Sequence, residues 1–166
     1  MKNVLLTGEA IEAKRFLCTL AFVLVTNLSI ALTTTPAPMS TAKGTFEVKM
    51  IPETNPIDPS ITTMSIDKEI HGDLEATSKG EMLAAGDPKK GAAGYVAIEQ
   101  VTGKLNGKTG SFALMHFATM TPGSANEMKV IVVPGSGTGD LSGIYGTFTI
   151  LIDHGQHSYT FEYGFR

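Results

Sequence analysis

A carboxylate and an imidazole, Glu99 and His116, stand on either side of an Asn106-Gly107 pair in a stretch that is otherwise largely apolar, with a phenol at Tyr95 just upstream. Brought together away from water, the two would form an acid and a base with displaced proton affinities, able to move a proton on a bound molecule. The same pair could instead satisfy itself by hydrogen bonding and serve only to fix strand register. Residue types alone leave both readings open.

The other candidates are weaker. His154 and His157 flank Gly155-Gln156 and could approach across a hairpin end, but zinc takes three or four protein ligands and no cysteine or clear carboxylate completes a set, so no metal site is expected. His71, beside Gly72, reads as strand-end polar surface. The segment Val133 to Gly146 holds five glycines and invites comparison with phosphate-binding loops. It lacks the terminal Gly-Lys-Ser/Thr and a following helix, so a structural connection is expected. Ser136 and Ser142 have no nucleophile elbow around them, which leaves serine hydrolase chemistry unsupported. No cofactor motif is present.

Whether Glu99 and His116 meet depends on the strands that carry them. Asn-Gly between two alternating runs is a strong hairpin signal. A two-residue type I′ turn pairs Leu105 with Lys108, Val101 with Phe112, Glu99 with Leu114 and Ala97 with His116. Tyr95, Ala97, Glu99, Val101, Phe112, Leu114, His116 and Ala118 then share one face, with Glu99 and His116 diagonal neighbours. The opposite face carries Val96, Ile98, Gln100, Ala113, Met115 and Phe117, so both sides are largely apolar, as in a sheet covered on both sides or one closed into a barrel and packed against a partner.

Further strands are predicted at 45–50, 61–71, 74–85 and 127–133, with a proline-rich surface excursion over 51–60. The run 157–166 alternates His157, Tyr159, Phe161, Tyr163 and Phe165 against polar residues. Glycine first in Gly155-Gln156 suits a type II′ turn back to Thr147–His154, whose Phe148, Ile150 and Ile152 join the aromatic face. About eight strands with short turns give an all-β, antiparallel barrel or sandwich, and their roughly even spacing favours the barrel, with residues 44–166 as one domain.

Upstream, Lys14 and Arg15 precede the apolar run 16–32, and small residues Ser29 and Ala31 follow at signal-peptidase spacing. Residues 1–32 read as a signal-like helix, either a cleaved export signal or an uncleaved anchor, and 33–43 as a flexible tether. Export would place the domain in the periplasm or outside the cell; initiation at Met39 would leave it cytoplasmic. Membrane contact is expected only through an uncleaved N-terminal segment. The 166 residues carry a formal charge of -3 and no basic run beyond the N-terminal region, so nucleic acid is not an expected partner. The one cysteine, Cys18, can make no intrachain disulfide.

The glycine segment, read as G-S-G-T-G-x-L-x-G-x-x-G, resembles the corresponding stretch of allene oxide cyclases and dirigent proteins, which are eight-stranded barrels. A longer set of matches is similar to the bacterial DUF3224 family: Gly44-Thr45-Phe46-Glu47-Val48, His71 to Ala76, Gly94 to Glu99, Gly110-Ser111-Phe112, Pro134 to Gly139 and His157-Ser158-Tyr159. That resemblance spans Gly44 to Arg166 and implies a barrel like that of allene oxide cyclase. It brings no established activity and no functional residue.

The expected function is therefore a barrel that holds a small apolar or amphipathic molecule, with Tyr95, Glu99 and His116 as its polar fixtures. One alternative is an isomerase or cyclase using Glu99 and His116 as acid and base. Another is a structural module that forms homo-oligomers through the second apolar face.

Overall fold

The computed structural model describes residues 38–55 and 57–166. The expected export signal, and the tether up to residue 37, lie outside the described residues. Eight strands follow in order: β1 (Ser40–Glu53), β2 (Thr62–Gly72), β3 (Leu74–Asp87), β4 (Ala92–Leu105), β5 (Lys108–Met120), β6 (Glu127–Val132), β7 (Ile144–Asp153) and β8 (Gln156–Phe165). Each pairs antiparallel with the next, and β8 returns to β1 to close the barrel. Closure gives every strand a neighbour on each side, and the two-residue alternation sends one face of each strand inward.

The β4–β5 hairpin has the register expected from Asn106-Gly107, with Glu99 opposite Leu114 and Ala97 opposite His116. Both turn residues have positive φ, 45° and 86°, as a type I′ turn requires.

The sequence reading needs correction at two places. β1 is longer than 45–50 in both directions. Ser40–Lys43, read as the end of a tether, pair with β8, and Ile51–Glu53, read as a surface excursion, pair with β2. Pro52 is tolerated because β1 pairs with β8 only as far as Phe46, so one flank of Pro52 is open and its missing N–H interrupts nothing there.

The β7–β8 turn is His154-Gly155, not Gly155-Gln156. Asp153 pairs with Gln156, and φ is 48° at His154 and 82° at Gly155. This type I′ turn matches strand twist, and histidine is one of the side chains that tolerates the left-handed region. Moving the turn by one residue moves each partner by two, so Phe148, Ile150 and Ile152 keep the predicted face. His154 is left in solvent beside Asp153, and His157 sits opposite Ile152 with its ring 5.0 Å from that of Phe46.

Inside, the barrel has two unlike halves. The end holding the β2–β3 and β4–β5 turns is solid: Leu74, Val101, Leu105, Phe112, Leu141 and Phe161 have no exposed surface. Stacked rings tie β8 across this half, Phe161 lying 5.6 Å from Phe112 and 5.1 Å from Tyr163.

The glycine segment seals the same end. β6 and β7 register at a single pair, Ile131 with Thr147, which makes theirs the shortest ladder of the barrel. The segment then runs back along β5: the Val133 N–H donates to the Ala113 carbonyl at 2.9 Å, and the Thr138 N–H to the Ser111 carbonyl at 2.8 Å. The Ser136 hydroxyl accepts from the Ala113 N–H at 3.0 Å. Gly110 permits this approach, because a Cβ there would overlap the Thr138 carbonyl oxygen. A 3₁₀ turn at Gly139–Leu141 then drops Leu141 into the core as the plug. The segment has the structural role expected of it.

Candidate functional site

The other half of the barrel holds charge. Four consecutive strands each send one polar side chain inward: Lys68 from β2, Ser78 from β3, Glu99 from β4 and His116 from β5. Glu99 is 1% exposed, His116 4% and Lys68 6%. One carboxylate oxygen, Oε1, accepts from Lys68 Nζ at 2.7 Å and meets His116 Nε2 at 2.8 Å. Oε2 accepts from the Ser78 hydroxyl at 2.7 Å.

Lys68 and Glu99 are separated by β3, about 9.6 Å of two strand spacings. The bridge is possible because the residue of β3 directly opposite Glu99 is Gly80. A Cβ at Gly80 would lie 2.6 Å from the Glu99 Cα, and even alanine would push the two strands apart. The Lys68 ammonium also lies 4.9 Å from the centre of the Phe46 ring, whose π face favours a cation.

Loss of water is the largest influence on the Glu99 carboxyl and would raise its pKa. The His116 hydrogen bond, the Lys68 charge, the His116 charge and the Lys68 hydrogen bond together outweigh it, and the pKa falls to about 2. Glu99 is thus a permanent anion at any physiological pH. An ionised carboxylate only accepts hydrogen bonds, so His116 must carry a proton on Nε2.

Above this cluster lies a cavity of about 170 Å³, lined by Lys68, His116, Tyr95 and His157 with Phe46, Val48, Ile66, Ala97 and Ile150 as walls. Met50, Met128 and Ile152 form its outer rim and are substantially exposed, so it opens to solvent at the end holding the β3–β4, β5–β6 and β7–β8 connections. Tyr95 lines the cavity but does not join the ionic cluster; its hydroxyl contacts Met128 Sδ at 3.5 Å. Partial burial, and then the Glu99 charge, raise the phenol's pKa.

Glu99 and His116 meet as the predicted register implies; His116 and Tyr95 line the cavity, whereas Glu99 is not part of its lining. The sequence reading missed Lys68 and Ser78. The signal was available in the alternation: Lys68 has the same parity as Ile66 and Ile70, and Ser78 the same parity as Leu74, so both had to point inward. A charged side chain on a buried stripe requires a partner of opposite charge, and Glu99 was the one acidic residue on the predicted inner face of the β4–β5 hairpin.

On the outer wall Glu47, Glu69 and His71 come within 4.8 Å of one another, and His71 Nδ1 is 3.4 Å from Glu75. All are exposed, in keeping with the polar strand-end surface expected at His71, and groups of this kind are at ease in water without an ion.

Fold and site together define a closed eight-stranded barrel, packed solid at one end and hollow at the other, with a buried ion cluster as the floor of the hollow. Within that class the chain belongs to the DUF3224 family, described as proteins of unknown function, whose model matches residues 42–163. It is similar to a solved structure of a protein of unknown function from the same family, from Shewanella oneidensis MR-1. The two are 47% identical, the match covers 78% of this chain and 99% of that one, and the TM-score is 0.71. No curated protein matches the chain.

Replacing Glu99 by Gln leaves the Lys68 ammonium buried without a counter-charge, and chemical denaturation should register a loss of about 3 to 5 kcal/mol. Adding Lys68→Met should recover most of that loss; a double variant as unstable as the single would mean that the ion pair is not the cause.

Acid should act through the same group. The native carboxyl, at about 2, lies below its ordinary 4.5, so as pH falls the unfolded chain takes up the proton first. The stabilisation is complete above about 4.5 and is lost progressively towards 2. Urea midpoints should therefore fall over this window in the wild type, and fall less steeply in Glu99→Gln.

Proposed function

We propose that the barrel binds a small amphipathic molecule, its polar end towards Lys68 and His116 and its apolar body against the side chains of the cavity wall. The observation that carries this reading is a cavity with apolar walls and a polar floor, open at one end of an otherwise filled barrel. Methionines at 50, 82 and 128 around it supply flexible, polarisable walls that can adapt to an apolar chain. The acid–base alternative, suggested by the resemblance to allene oxide cyclases, receives less support for Glu99. A carboxyl held at about 2 by His116 and Lys68 is poorly matched to proton transfer at neutral pH, and its role in this reading is to position Lys68 and His116.

A neutral naphthalene fluorophore should bind the protein with micromolar affinity, and Ala97→Phe, which fills the cavity from β4, should weaken it by at least tenfold. Equal binding by the two proteins would place the dye elsewhere and overturn the cavity as the binding site.

A separate observation favours a second reading, in which the barrel also assembles with another copy of itself. On the outer wall the register aligns Glu81–Ile98–Met115–Ile131 beside Leu83–Val96–Phe117–Lys129. Leu83, Val96, Ile98, Met115 and Phe117 are exposed, Ile98 by 57%. This is an apolar centre with opposite charges at two corners, the anatomy of a protein interface. A two-fold axis crossing the Glu81–Lys129 diagonal would set each Glu81 against Lys129 of the other copy and bury the apolar centre once from each side.

Light scattering at tens of micromolar protein should report a dimer. Glu81→Lys and Lys129→Glu should each weaken it by roughly tenfold, and the double exchange should restore it. A wild-type monomer, or single variants without effect, would remove this reading.

A further inference from the structure

The cavity is small for a ligand site. At about 170 Å³ it approaches an engineered apolar cavity of about 150 Å³ that takes up benzene, whereas ligand sites ordinarily measure about 300–1,000 Å³. A larger apolar body must either project through the open end into water or displace a wall. Resting on the binding role proposed above, we infer that one wall moves. The strand β7 swings away from β6 along an unpaired seam, and the site takes a molecule with a long alkyl chain that exceeds the resting cavity.

The seam lies where the barrel is least bonded. β6 and β7 register only at Ile131–Thr147, whereas the next shortest ladder, β5–β6, has six pairs. From Ile131–Thr147 to the open end, residues 127–130 of β6 and 148–153 of β7 run side by side without pairing. Each strand keeps its ladder on the far side, β6 with β5 and β7 with β8. Parting them therefore breaks no ladder bond, and the single pair at Ile131–Thr147 serves as the hinge. Parting any other two strands would break several such bonds, each of which would have to be made good by water.

The remaining walls are fixed. Ladders join β2, β3, β4 and β5, and the hydrogen bonds to Glu99 tie the same four strands together from inside. Met128 on β6 is held to this wall by the Tyr95 hydroxyl, which reaches its Sδ at 3.5 Å across β5. β6 thus stays with the fixed wall, and β7 is the strand that moves. On the other side of the hairpin, β8 stops pairing with β1 at Phe46–His157, so no ladder ties the hairpin tip to β1.

The surfaces that would part are suited to an alkyl chain. Met128 of β6 and Ile150 and Ile152 of β7 line the cavity on either side of the seam, and Ile152 is 60% exposed in the resting structure. A chain drawn between them covers apolar surface that now faces water, and each methylene buried in this way is worth roughly fourfold in affinity.

The test locks the seam. Continuing the register from Ile131–Thr147 sets Lys129 opposite Thr149, both exposed on the outer wall and outside the cavity lining. Lys129→Cys with Thr149→Cys is made in the full chain, with its one cysteine, Cys18, changed to serine. 1-Butanol and 1-decanol are then competed against the neutral naphthalene fluorophore, in the oxidised and the reduced protein. Decanol should bind at least tenfold more weakly when the disulfide is closed, and butanol equally in both states. Spin labels on the same two cysteines give an independent reading: decanol should weaken their dipolar coupling and butanol should not. A second pair, Glu127→Cys with Leu151→Cys, repeats both measurements nearer the mouth should the first perturb folding.

Equal decanol affinity in the oxidised and reduced forms, or unchanged dipolar coupling, overturns the moving wall while leaving the cavity as a binding site. Decanol no tighter than butanol in the reduced protein overturns the long-chain ligand. Failure of both alcohols to displace the fluorophore overturns the binding role as well.

Discussion

One carboxylate organises the hollow half of this barrel. Glu99 has been taken out of water, which is among the costlier acts in folding, and it is made tolerable by three donors from three other strands: Lys68, Ser78 and His116. Because those donors come from β2, β3 and β5, the cluster works only if four neighbouring strands keep one register. A slip of a single residue in any of them would turn its contribution out to solvent and leave a charge or a donor buried alone. The cavity above the cluster exists for a related reason. Gly80 leaves the gap across which Lys68 reaches Glu99, and Lys68 and His116, held by Glu99, line the cavity.

The opposite half follows a different rule. Its stability comes from close-packed aromatic and aliphatic side chains, with Phe112, Phe161 and Leu141 wholly buried. The division gives each end of the barrel one task. The solid end fixes the strands, and this allows the open end to carry a polar floor and an unfilled volume, both of which oppose stability. The glycine segment belongs to the solid end. Its serine and threonine side chains and backbone donate to and accept from β5 where β6 has stopped, so a barrel with one very short ladder still closes.

Much of the architecture was legible before any coordinates. Asn106-Gly107 gave the β4–β5 register residue by residue, because a type I′ turn leaves no freedom in which residues face each other. The meeting of Glu99 and His116 followed from that register alone. The His154-Gly155 turn was harder to read, since histidine is a less usual residue at positive φ than the glycine-first alternative suggested, and sequence offered no measure of the local twist. The extent of β1 was hidden for a similar reason. Pro52 argues against a paired strand unless one flank is known to be open, and which flank is open depends on where β8 stops.

The sequence by itself determined which residues of each strand share a face, through strict alternation and turn chemistry, and so an all-β fold of about eight strands with Glu99 and His116 on one face; closure into a barrel was decided by the pairing of β8 with β1. Lys68 and Ser78 were on the same inward stripe. Only the tertiary structure decided that they belong to Glu99, because that partnership crosses β3 and depends on curvature, on the space left by Gly80 and on which strands become neighbours after closure. Alternation is a local property, carried by successive residues of one strand. Whether the inner face meets packed side chains or an open cavity depends on what the far wall of the barrel sends across, and no single strand contains that information.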